Sequence, residues 1–141
     1  KTVFVFFAGE EAGLLGSKYF VDNKTLDPKK IKFLLNMDLM GTGEEGIMVV
    51  NGAIHENQFS RLQTINAQQH YLVEIKKRGK AKNSDHYWFV KNGVKGMFIF
   101  TMGGPPHYHD VNDTFEEMKF SKYLEVRNLL IEFLKWQMTG K

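Results

Sequence analysis

The stretch Lys1-Thr2-Val3-Phe4-Val5-Phe6-Phe7-Ala8-Gly9-Glu10-Glu11 governs the reading of the rest of the chain. It is apolar without alternation and rich in Val and Phe, which predicts a strand over Val3–Ala8 buried on both faces. It then stops at a glycine and two carboxylates. Runs of the same kind recur at Lys32–Met37, Val94–Phe100 and, shorter, at Ile47–Asn51, with a weaker one at Tyr71–Ile75. Between them the apolar residues fall at helical spacing. Ala12–Val21 carries Leu14, Leu15, Tyr19 and Phe20, and Glu56–His70 carries Phe59, Leu62 and Ile65. Asp27-Pro28 marks a turn. A short helix opens at Ser84, presents Trp88 and Phe89, and stops at Asn92-Gly93. The longest helix, Phe120–Met138, has Tyr123, Leu124, Leu130, Ile131, Leu134 and Trp136 as its apolar side.

Buried strands alternating with helices predict an α/β fold: a three-layer α/β/α sandwich around a mostly parallel sheet. The 141 residues fit a single domain, 1–141, and no repeat or Pro-rich linker divides them. At 43% hydrophobic and 25% charged residues, the composition excludes a disordered chain. The longest apolar run, Val3–Ala8, has six residues and cannot span a bilayer, so no membrane partner is expected. The absence of Cys excludes disulfides, thiolate zinc fingers and a cysteine nucleophile, and leaves the compartment open. A net charge of +3 is too small to argue for nucleic acid. Lys76, Lys77, Arg78, Lys80 and Lys82 read as a solvated loop, with a basic rim for acidic substrates as the sharper alternative. A chain starting without Met inside a buried strand is expected to be a piece of a longer protein, N-terminally truncated.

In largely parallel sheets, functional groups collect at the carboxyl ends of the strands. Glu10 and Glu11 follow the first run, Asp38 the second. His107, Tyr108, His109 and Asp110 follow the last, through Met102-Gly103-Gly104-Pro105-Pro106. Each has an ordinary reading alone: helix N-terminal charge for Glu-Glu, a turn residue for Asp38, a solvated His in a Gly/Pro loop. Together they form one chemical set. Adjacent carboxylates are mutually unfavourable unless a cation compensates them. Carboxylate oxygens with an imidazole suit Zn²⁺, and a free carboxylate beside a zinc-activated water can serve as general base.

Phe6-Phe7-Ala8-Gly9-Glu10-Glu11-Ala12-Gly13-Leu14-Leu15-Gly16-Ser17 resembles a central motif of the co-catalytic zinc aminopeptidases. That family takes in bacterial leucyl aminopeptidases, the glutamate carboxypeptidase ectodomain and glutaminyl cyclases. Asn36-Met37-Asp38-Leu39-Met40-Gly41 is similar to the next motif. Ser84-Asp85-His86 with Gly93-Val94, then Tyr108-His109-Asp110-Val111-Asn112-Asp113-Thr114, match later ones in order.

The resemblance implies a C-terminal portion of a zinc peptidase catalytic domain that removes N-terminal residues from peptides. By position it makes Glu10 the general base, Glu11 and His109 ligands of one zinc, and Asp38 a ligand of another. Tyr108 resembles a residue that in some members donates to the tetrahedral oxyanion. Asp85 and His86 would line the pocket wall, and Asp113 and Thr114 would fix the His109 loop. His107 has no assigned role, and His55 and His70 read as surface residues. No other cofactor site is implied.

The family's upstream His and bridging Asp have no counterpart before Glu10. A complete domain would hold a pair of zinc ions, whereas this chain is expected to hold one or none and to have little or no activity alone. A sheet without its first strands exposes an edge that invites pairing with another copy. Family habit favours secretion or the periplasm. A glutaminyl cyclase, or a non-catalytic binding domain on the same fold, are the alternatives. Side-chain preference, and amino- versus carboxypeptidase or dipeptidase action, stay open.

Overall fold

The computed structural model describes residues 1–104 and 107–140; Pro105 and Pro106 of the expected Gly/Pro loop lie outside the described residues, as does Lys141. Its centre is a four-stranded sheet: β1 (Leu34–Met37), β2 (Ile47–Val50), β3 (Ile75–Arg78) and β4 (Gly96–Thr101), in spatial order β1-β4-β2-β3. β1 runs parallel to β4 with Asn36 beside Phe98, and β2 runs parallel to β3 with Val49 beside Lys77. β2 lies antiparallel to β4, Val49 opposite Ile99. The sheet is therefore mostly parallel, and the carboxyl ends of β1 and β4 open on the same edge.

The helices are α1 (Leu15–Asp22), α2 (Glu56–Gln69), α3 (His86–Lys91) and α4 (Tyr123–Thr139). The period of two along each strand sends alternate side chains to opposite helix layers. Ile47, Val49, Met97 and Ile99 join Phe59, Leu62 and Ile65 of α2 and Leu129 and Phe133 of α4 in one core. On the other face Leu34 and Val94 join Val21 of α1 and Phe89 of α3. The sandwich has its three layers.

Several local readings are corrected. Val3–Ala8 forms no strand: the segment lacks a ladder partner, and Phe4 and Phe6 are 73% and 96% exposed. Of that run only Phe7 packs inward, edge-on to Phe20 and against Phe89. The weak strand expected at Tyr71–Ile75 lies instead at Ile75–Arg78. Lys76, Lys77 and Arg78 are thus exposed residues of an edge strand, not a loop, an arrangement in which charges discourage edge-to-edge pairing. On α4 the buried stripe is Val126, Leu129, Leu130 and Phe133, spaced i, i+3, i+4, i+7, while Tyr123, Leu124 and Ile131 face outward. The helix is apolar around much of its circumference, so residue type alone selected no unique face.

Candidate active site

Glu10 and Glu11 sit in a compact turn between the N-terminal segment and α1. The amides of Gly13 and Leu14 both donate to the Glu10 carbonyl, at 3.0 and 2.8 Å. The Leu15 amide donates to Gly9 and the Gly16 amide to Ala8. These bonds, with Gly9 at φ +68°, delay the helix from the expected Ala12 to Leu15. Gly16 is required for the close approach: a Cβ there would stand 2.4 Å from the Ala8 carbonyl oxygen.

Asp38 leaves the end of β1 with its amide donating to Ile99 on β4. The following loop is fastened to the end of β4 by Thr101, whose hydroxyl donates to the Leu39 carbonyl at 2.6 Å and pairs with the Thr42 hydroxyl at 3.0 Å. From the α3 side, the buried Ser84 hydroxyl donates to Asp38 Oδ2 at 2.9 Å and accepts from Asn36 Nδ2 at 2.8 Å. Ser84 had the look of a helix cap, but the N-cap is Asp85 and no side-chain cap bond forms there. Its hydroxyl orients Asp38 instead. In the sequence, Asn36 and Ser84 are the short polar residues that open these two motifs, and nothing there pairs one with the other.

His109, with φ +59°, reaches back across the chain: its Nε2 lies 3.1 Å from Glu11 Oε1. The left-handed backbone is unusual for a residue with a Cβ and re-aims the ring out of the loop. The loop is held by Asp110, whose Oδ1 accepts from both the amide and the side chain of Asn112. Among the described residues, Asp113 and Thr114 contribute main-chain turns, and the side chain that fastens the loop is that of Asp110. The Tyr108 ring lies tilted against that of His109, with centroids 4.1 Å apart.

These groups act on one another electrostatically. Burial, followed by the charges of Asp38, Glu11 and Asp85, raises the Glu10 pKa, and His109 opposes the rise. Burial likewise raises the Tyr108 phenol, with Glu11, Asp38 and Glu10 adding to it. Asp85 is raised by burial and by Asp38, with the Ser17 hydroxyl opposing. Asp85 therefore shares an electrostatic environment with Asp38 and Glu10. His86 is 1% exposed, stacked on Phe98 at 5.2 Å, and sits beneath the site as a core residue. His55 is not a surface residue: half-buried, its Nε2 accepts from the Gly96 amide at 3.3 Å. His70 is exposed at the end of α2, and among the described residues His107 makes no side-chain hydrogen bond.

Glu10, Glu11, Asp38, Tyr108 and His109 are thus brought together. A concentration of carboxylates around a partly buried Glu10, with an imidazole facing Glu11, is a donor set suited to a divalent cation. The 3.1 Å between Glu11 Oε1 and His109 Nε2 is close to the edge of a tetrahedron with zinc–ligand bonds of about 2 Å. The fit is partial. Among the described residues no group of three or more His, Asp or Glu closes around a single ion.

Residues 1–134 match the profile of peptidase family M28. A probable leucine aminopeptidase of Trichophyton verrucosum is 30% identical over 138 residues, 93% of this chain and 36% of that protein. Leucine aminopeptidase 1 of Trichophyton rubrum is 28% identical, with 93% and 38% covered. Among solved structures, a zinc aminopeptidase from Bacillus subtilis superimposes with a TM-score of 0.69 at 23% identity, covering 94% of this chain and 34% of its own. The glutaminyl cyclase of Porphyromonas gingivalis gives 0.72 at 18%, covering 95% and 50%. The chain spans little more than a third of the curated relatives. With the glutamate pair, Asp38 and His109 gathered at one sheet edge and the profile matched over nearly its whole length, the chain belongs to peptidase family M28.

Proposed function

We propose that this chain carries part of the active site of a zinc-dependent aminopeptidase. The observation that carries the reading is the Glu11–His109 pair, 3.1 Å apart, with Glu10 beside it among like charges. Glu11 and His109 would hold one zinc ion, and Asp38, oriented by Ser84, would serve a second. Bound zinc supplies Lewis acidity that brings the pKa of a water toward about 7. Glu10 accepts the proton of the attacking water and returns it to the leaving amine of the peptide, while Tyr108, exposed beside His109, donates its hydroxyl to the developing oxyanion. Raising the Glu10 pKa toward neutrality suits a group that must both take and give a proton.

The kinship with leucine aminopeptidases points to peptides with an apolar N-terminal residue as substrates. The same reading includes self-association through the uncovered Val3–Phe6 run and the free edge of β1. The test is hydrolysis of leucine p-nitroanilide with and without added zinc, in the 141-residue chain or a longer form containing it, whichever turns the substrate over. Zinc-dependent hydrolysis that Glu10→Gln reduces by about a hundredfold or more is expected. Ammonia release from an N-terminal Gln peptide without chain shortening would reassign the site to cyclisation. Undiminished hydrolysis by Glu10→Gln would remove Glu10 as the base.

A further inference from the structure

A second concavity lies along α3. A groove of about 370 Å³ runs between Lys80–Lys82 and the α3 residues Tyr87, Val90 and Lys91, with Asn51 at its base. Its charge is of one sign. Lys82 stands over the Tyr87 ring at 5.6 Å, and Lys91 stands 5.9 Å over Tyr87 and 4.8 Å over Trp88. No acidic side chain lines it. The neighbouring Lys76 and Lys77 are paired with Glu74 and Glu56, while Lys80, Lys82 and Lys91 form no ion pair among the described residues. Charges that only protect a sheet edge would be explained on β3 itself; these three lie beyond it, around a concavity.

The base of the groove adds a second requirement. Asn51 is 1% exposed and its Nδ2 donates to the Gly96 carbonyl at 3.0 Å, yet its Oδ1 has no partner. A buried acceptor left unpaired is unfavourable and is satisfied by an N–H donor. A sulfate or fully ionised phosphate matches the lysines but brings no such donor. An extended peptide brings both: main-chain N–H groups, and carboxylates recurring on one side about every 7 Å. Beside the groove β3 ends the sheet, and its outer edge can accept main-chain hydrogen bonds.

We propose that this groove docks an extended acidic peptide segment of another protein. The lysines face its carboxylates, the Tyr87 ring packs on its side chains, and Asn51 Oδ1 accepts one of its N–H groups.

The test is fluorescence anisotropy of an end-blocked, labelled peptide of alternating Glu and Thr, titrated with the 141-residue chain at low salt. The comparisons are the Gln/Thr peptide and an oligothymidylate of similar length. Saturable binding is expected that weakens with salt and falls at least about tenfold for the Gln/Thr peptide and for the Lys80→Gln/Lys82→Gln/Lys91→Gln variant. These lysines are exposed, so circular dichroism should show the variant folded. A shift of the Asn51 side-chain amide resonance on adding peptide is expected as well. Equal binding by the triple variant, no binding of the acidic peptide, or tighter binding of the oligothymidylate would overturn the proposal.

Discussion

Glu10 and Glu11 share a peptide bond but stand in different surroundings. Glu11 is exposed against His109, whereas Glu10 is partly buried among Asp38, Glu11 and Asp85. Because the fold raises the Glu10 pKa, the folded state holds that proton more tightly than the unfolded one. Stability from this group is therefore present at low pH and is lost as pH rises from the ordinary value of 4.5 through the raised one. Glu10→Gln is expected to raise the thermal midpoint of the zinc-free protein at neutral pH and to leave it little changed in acid, as scanning calorimetry would show. Ser84→Ala removes the hydrogen bond that aims Asp38 and leaves Asn36 Nδ2 unpaired, a loss of about 1–3 kcal/mol by urea unfolding. The carboxylates and His109 were legible in the sequence because each follows an apolar run. The Ser84 and Asn36 contributions were not, since a hydroxyl's partner depends on which strand lies beside which helix.

At the scale of elements, α4 separates what pattern can tell from what packing decides. Its extent was readable, but its buried face was not: Leu129 is fully buried while Leu124, equally apolar, is 57% exposed. Leu129→Ala is expected to cost about 2–5 kcal/mol and Leu124→Ala well under about 1 kcal/mol, measured by denaturant unfolding. The Val3–Ala8 run fails as a strand for a related reason. Its composition is that of a buried strand, but a strand exists by pairing, and here it has no ladder partner. On α3, burial of His86 against Phe98 lowers its pKa from 6.5 to about 4. The unfolded chain then binds a proton that the folded chain refuses. This contribution is fully present above about pH 6.5 and shrinks as pH falls toward about 4, by on the order of 3 kcal/mol in all. His86→Phe should flatten that part of the stability–pH curve; an unchanged slope would mean that other groups carry it.

For the whole molecule, the three-layer architecture followed from alternating apolar runs, and the resemblance of four ordered motifs was matched by the family profile over residues 1–134. What composition could not convey is the unevenness of the surface. Apolar side chains crowd the Val3–Phe6 end, and lysines gather around the groove beyond β3. Concentration-dependent association by sedimentation velocity is expected for the wild-type chain and should be lost in Phe4→Lys/Phe6→Lys; a wild type monomeric at all concentrations would refute association through this end. The central claim is that Glu11 and His109 hold zinc while Glu10 stays free to move a proton. The most direct measurement is competitive zinc titration of the folded chain at neutral pH, beside Glu10→Gln and His109→Ala. Saturable zinc binding by the wild type is expected, weakened by about a hundredfold in His109→Ala and changed by less than about threefold in Glu10→Gln. Equal zinc affinity in His109→Ala, or no zinc binding by a folded wild type, would contradict it.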